Sequence, residues 1–224
     1  MSRAFVFATL LLLLAPNSQA DNSAAAPGDA PKVLAPANDL GLSNDGKLSD
    51  LESYEVRIGE LNNGGECYVL PFRLPALGAG QHFASVHLRM QMLAKSAEKT
   101  GVLGNADLYG IGVRDSAKLL PTDYYQGPNP DPKATLIQAN LLTPDSKQRV
   151  DAETGPFIET STEGDAALVK YFNDSAQPGT AGKYLFLRIS YDVDPIPPGN
   201  NAYIILTSAA DGDEEAPILT YTIK

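Results

Sequence analysis

The sequence predicts an all-β protein, a jelly-roll-like antiparallel β-sandwich with one short helix. Three observations carry that expectation. Short segments alternate apolar and polar residues with a period of two, clusters of Gly, Pro, Asn and Asp separate them, and one stretch alone asks to be a helix.

Residues 1–20 read as a signal peptide: Arg3 gives a positive start, AFVFATLLLLLA is the apolar run, and Ser18 and Ala20 put small residues before a cleavage point. That run is too short for a bilayer, which needs about 20 apolar residues. The lone cysteine, Cys67, lies far from the lipoprotein position, so the expectation is export without a lipid anchor, to the periplasm or outside the cell, and without a membrane span. Residues 21–50 are rich in Ala, Pro, Asn and Asp with no sustained period and read as a flexible tether. Residues 51–224 then form a single β-sandwich domain, long enough for one hydrophobic core.

Within that domain YEVRIG places Tyr54, Val56 and Ile58 on one strand face. CYVLPFRL aligns Tyr68, Leu70, Phe72 and Leu74, with Pro71 pointing to an edge strand or a bulge. SVHLRMQML is the cleanest alternation, with Val86, Leu88, Met90 and Met92 inward and Ser85, His87, Arg89 and Gln91 outward. In ADLYGIGVR, Tyr109, Ile111 and Val113 share a face, and Gly110 and Gly112 leave room opposite for a close neighbour. TLIQANLL suits either a strand or a helical turn. GDAALVKYFNDS is the helix, with Asp165 at its N-cap and Leu168, Val169 and Phe172 at helical spacing. KYLFLRISY, AYIILTS and PILTYTIK supply the closing strands.

Charge and cysteine usage narrow the function classes. A net charge of −10 and the absence of a basic patch exclude a nucleic-acid binder. One cysteine allows no internal disulfide, so stability rests on a core, a metal or both. Enzyme signatures are missing. GIGVRD and GAGQHF lack the third glycine of a dinucleotide fingerprint, GTAGKY is no phosphate loop, and no nucleophile elbow occurs. His82 and His87 sit five apart, which on one strand sends them to opposite faces, and they read as a loop residue and a solvated strand residue. Cys67 opens an apolar strand with no base nearby and reads as a small buried hydrophobe.

Two binding hypotheses survive. DGDEE offers Asp211 and Asp213 on a tight turn, and YDVDP offers Asp192 and Asp194. Hard cations favour oxygen ligands gathered in this way, so a structural Ca2+ is one reading and a solvated turn the other. DYYQGPNP offers Asp123, Tyr124, Tyr125, Gln126 and Asn129 in a loop stiffened by proline. Aromatic and amide side chains of this kind suit a sugar, and plain loop packing is the competing reading.

CYVLPFRLPALGAG, ADLYGIGVR, TDYYQGPNPDPKATLIQANLLTP, AALVKYFN, GKYLFLRIS and PILTYTIK occur in this order. Together they resemble an uncharacterised secreted bacterial β-sandwich module, similar in outline to the DNRLRE-type and alginate-binding-type carbohydrate-binding modules. The resemblance spans roughly residues 53–224 and includes the closing P-x-L-x-Y, but not the tryptophan-bearing segments of the DNRLRE type. It implies a non-catalytic module for extracellular polysaccharide and carries no catalytic residue to transfer. The alternatives are a structural or adhesive protein of the cell envelope that binds other proteins, and a jelly-roll polysaccharide lyase or hydrolase. The last needs Tyr, His, Arg or paired carboxylates converging in one groove, and Asp123, Tyr124 and His87 lining one cleft would supply them.

Overall fold

The computed structural model describes residues 30–38, 40–48, 55–61, 64–98, 101–150, 155–195, 200–208 and 216–224. The segment read as signal peptide, together with Tyr54, Asp211 and Asp213, lies outside the described residues. The strands are β1 (Lys32–Leu34), β2 (Leu40–Ser43), β3 (Glu55–Leu61), β4 (Gly64–Arg73), β5 (Phe83–Met90), β6 (Met92–Glu98), β7 (Ala106–Arg114), β8 (Thr135–Leu142), β9 (Ile158–Glu159), β10 (Tyr184–Tyr191), β11 (Asn201–Thr207) and β12 (Ile218–Ile223). One helix, α1 (Thr162–Ser175), lies between β9 and β10.

Among the described residues the protein is an all-β sandwich with one α-helix. A small sheet runs β1-β12-β5-β9. A large sheet runs β6-β11-β3-β4-β10-β7-β8, with β2 also on β4. The alternating segments bury the residues that their period selects. Tyr68, Leu70 and Phe72, Val86, Leu88 and Met90, Leu185, Leu187 and Ile189, and Leu219 and Tyr221 all join one core between the sheets. TLIQANLL is a strand, β8.

Five details differ from the sequence reading. First, the chain enters the sandwich before residue 51. Leu34 pairs with Leu219, and Leu40 and Leu42 pair with Val69 and Cys67, so β1 and β2 interrupt the predicted tether. Leu40 and Leu42 are one alternating pair too short to stand out by period alone. Second, SVHLRMQML is not one strand. It turns at the buried Gln91, whose carbonyl accepts from Thr207 N at 3.1 Å, so β5 and β6 lie in different sheets.

Third, Pro71 is not on an edge strand, because β4 is central. The β2 ladder stops at Val69, however, and beside Pro71 only Ala37 N reaches its carbonyl, so the missing N–H breaks no ladder on that side. Fourth, Val113 leaves the face of Tyr109 and Ile111. The β7–β10 register slips beside Gly112, whose φ of +102° fits a bulge, and the extra residue turns Val113 into the main core. Fifth, the N-cap of α1 is Ser161, whose Oγ accepts from Gly164 N at 3.1 Å. Asp165 lies within the first turn.

The helix covers an otherwise open strand edge. The Asn173 amide bonds both the N–H and the C=O of Phe83 at 2.8 and 2.9 Å, and Phe172 packs edge-on against the Phe83 ring at 5.2 Å. Gly110 has the close neighbour its type suggests. A Cβ there would lie 2.3 Å from the Tyr171 ring, and the Tyr171 hydroxyl accepts from Gly112 N at 2.7 Å.

Candidate functional site on two outer faces

The sandwich has two outer faces, and they are built differently. On the large sheet the alternation of β10 points Phe186, Arg188 and Ser190 outward. Phe186 joins Leu40, Leu42, Cys67, Val69 and Leu119 in a second apolar cluster. Residues 115–134 fold over this cluster as a third layer.

Arg188 fastens that layer. It is 1 % exposed, and its guanidinium pairs with Asp131 Oδ2 at 2.8 Å, donates to the Asp123 carbonyl at 2.9 Å and donates to Ser190 Oγ at 2.6 Å. The Tyr109 and Tyr125 rings lie 5.1 and 5.3 Å from its central carbon. A buried charge persists only when paired and hydrogen-bonded, and here every element of that pairing comes from the covering loop or from β7 and β10. Nothing in the sequence pairs Arg188 with Asp131. The available signal was a lone arginine at the centre of an otherwise apolar strand.

The predicted loop residues take structural partners within this layer. Asp123 is buried, its carboxylate accepting from Leu120 N at 2.8 Å and pairing with Arg114 at 3.0 Å, while Arg114 stacks over Phe186. The Tyr124 hydroxyl donates to Gln126 Oε1 at 3.0 Å, and Gln126 Nε2 donates to Glu60 Oε1 at 3.3 Å. Tyr124 sits above Gly65, where a Cβ would lie 2.3 Å from its hydroxyl. Burial, with the neighbouring Cys67 and Glu60, pushes its ionisation well above the usual phenol range. The Tyr125 hydroxyl donates to the Asn129 carbonyl at 2.6 Å. The Asn129 side chain is exposed. Cys67 is fully buried and its thiol is pushed up to about 12 by desolvation, as suits a small hydrophobe.

Among the described residues the outer face of the small sheet is left open, its side chains half-buried or exposed. Directly opposed residues of antiparallel strands share a face, so the register defines three rows: Val33, Thr220 and His87; Ile218, Arg89 and Glu159; and Thr222 with Ser85. Ser85 and Thr222 share a hydroxyl hydrogen bond at 2.8 Å. Arg89 lies 4.4 Å over the Phe157 ring, and among the described residues its guanidinium makes no hydrogen bond or ion pair. Its five donors thus stay available while the stack holds the plane in place.

His87 is not simply solvated. Its Nδ1 lies 3.0 Å from both carboxylate oxygens of Asp165, and its Nε2 lies 3.8 Å from Glu159 Oε1. Thr160 Oγ1 donates to the same Asp165 carboxylate and accepts from Leu88 N at 3.1 Å, which fixes that carboxylate against β5. His82 is exposed, and its backbone pairs with Lys224.

Asp123 and Tyr124 lie over one outer face and His87 on the opposite one, so the three do not line a common cleft. A cleft of about 370 Å3 between residues 75–81 and 176–181 is lined by no aromatic or ionisable side chain. Asp192 is half-buried, its carboxyl held above the usual range by burial and by Asp107, and Asp194 is exposed. Among the described residues no three His, Cys, Asp or Glu side chains gather to hold a metal ion. His87 turns a different ring nitrogen to each carboxylate, so it and they do not converge on one point. No described helix is long and apolar enough to cross a membrane. No protein-family model matches the chain, and no curated protein matches it.

Proposed function

We propose that the chain is a secreted, non-catalytic module that binds extracellular polysaccharide, and that the outer face of the small sheet is its binding surface. One observation carries the reading: Arg89 is stacked on Phe157 with its donors unused, in a face that also offers the hydroxyls of Ser85, Thr220 and Thr222 and the carboxylate of Glu159. Sugar rings present apolar faces edged by hydroxyls, and a flat patch of stacked planar groups among short donors and acceptors complements them. The loop at 123–129 supports the reading less, because most of its polar atoms already hold internal partners. The signal sequence at residues 1–20 and the family resemblance support export and the polysaccharide partner.

The test is retention on immobilised acidic and neutral polysaccharides, with and without Ca2+, for the full exported chain and for Arg89→Ala. Retention that Arg89→Ala abolishes supports the proposal. No retention on any polysaccharide, with capture of envelope proteins instead, would transfer support to the adhesive reading. Among the described residues Asp192 and Asp194 belong to no group of three His, Cys, Asp or Glu side chains, so a structural Ca2+ there would draw further oxygen ligands from elsewhere in the chain.

A further inference from the structure

We infer that His87 is a proton-operated clasp on this face, joining α1 and β9 to β5 and setting the charge that a ligand meets. The clasp stands on geometry alone, and its effect on ligand rests on the polysaccharide reading above.

The imidazole faces two carboxylates through two different nitrogens. Asp165, in the first turn of α1, takes Nδ1 through both oxygens at 3.0 Å. Glu159, on β9, stands 3.8 Å from Nε2. Asp165 can only accept, so the neutral ring carries its proton on Nδ1. Nε2 then presents a lone pair to another acceptor, Glu159, and the two have nothing to share. A second proton on Nε2 converts that confrontation into an ion pair. The clasp therefore holds one carboxylate when neutral and two when charged.

The surroundings give this step leverage. β9 is two residues long and pairs with β5 through Arg89↔Glu159 and Met90↔Ile158, with Thr160 N continuing to the Leu88 carbonyl at 3.1 Å, so a contact at Glu159 adds to a short ladder. The charged groups facing His87 are Asp165 from α1, Glu159 from β9 and Arg89 from its own strand, while β12 contributes the neutral Thr220. With His87 neutral, these groups sum to one negative charge. With it protonated, they cancel. This group of side chains changes from anionic to neutral when His87 takes up its second proton.

The Glu159 contact exists only with Nε2 protonated. Its stabilisation is therefore gained as pH falls and Nε2 takes up a proton, and lost as pH rises.

Two measurements test the clasp without any ligand. Imidazole nitrogen NMR at pH 8 should show His87 as the Nδ1–H tautomer, and the Nε2–H tautomer would overturn the inference. Melting midpoints of the wild type and of Glu159→Gln, compared at equal pH, should differ by about 1–3 °C at pH 5.5 and by less than about 1 °C at pH 8. The same pair on a His87→Gln background should show no such pH dependence. A Glu159→Gln effect that is equal at both pH values, or that survives His87→Gln, would also overturn it. Polysaccharide retention across the same pH range is the separate arm. Retention that ignores pH while the melting arm behaves as stated refutes the ligand effect alone, and no retention at any pH refutes the binding reading while leaving the clasp intact.

Discussion

Both outer faces carry an arginine at a position that strand alternation points away from the core, yet the two have opposite fates. Arg188 on the large sheet is fully buried, pairs with Asp131 and lies beside two tyrosine rings. Arg89 on the small sheet is half-buried, stacks on Phe157 and, among the described residues, keeps its donors open. The difference lies in the segments that pack beside each strand. Residues 115–134 double back over β7 and β10 and bring Asp123 and Asp131 to Arg188, whereas α1 and β9 approach β5 from its edge and, among the described residues, leave the face uncovered. A covered arginine becomes a fastening of the fold, and an uncovered one stays available to a ligand.

The largest expected effect breaks the first half of this comparison. Arg188→Ala strands the buried Asp131, and losing one partner of a buried pair costs about 3–5 kcal/mol, so the melting midpoint should fall by roughly 10 °C. Replacing both partners, Arg188→Met with Asp131→Leu, should restore most of that loss, because apolar side chains leave no orphaned charge. A midpoint for Arg188→Ala within about 2 °C of wild type would show that the loop does not depend on this fastening.

Arg89→Ala probes the other face. Its stability should stay within about 0.5 kcal/mol of wild type, while polysaccharide affinity drops at least about tenfold, read by calorimetry. A loss of stability as large as that of Arg188→Ala would mean the two arginines do the same work.

Asp192→Asn separates desolvation from metal ligation at a smaller scale. Burial raises this carboxyl, so the folded state disfavours its charge, and the penalty is absent at low pH and grows as pH rises past the usual carboxylate range. The amide should therefore raise the midpoint by about 1 °C at pH 7 and leave it unchanged at pH 3, the exposed part of the group being screened. A lowered midpoint at pH 7 would identify Asp192 as a ligand. The smallest effect is expected from EDTA, which should move the midpoint by less than about 1 °C, and a clear fall would place Ca2+ on the segment holding Asp211 and Asp213.

Much of the fold was legible because alternation is a local signal. Tyr68, Leu70 and Phe72, or Leu185, Leu187 and Ile189, announce their shared face within a single strand, and their burial depends on no particular partner. Where one residue changes the phase, legibility ends. Gly112 fits the pattern of its strand, and the bulge beside it is set by β10, so Val113 turns inward unannounced. Gln91 keeps the period between Met90 and Met92 although the chain changes sheet there, because both methionines remain on the core side.

The candidate site was less legible still. His87, Glu159, Thr160 and Asp165 lie close together only because α1 and β9 pack on the edge of β5, and Phe157 reaches Arg89 by the same packing. Side-chain type and spacing hold no information about such long-range juxtaposition. The amino-acid sequence by itself determined the all-β class, the inward face of most strands and the absence of enzyme motifs, since these arise from local periodicity and composition. Only the tertiary structure decided which of two outward arginines is sealed under a loop and which is left open, because that depends on where distant segments come to rest.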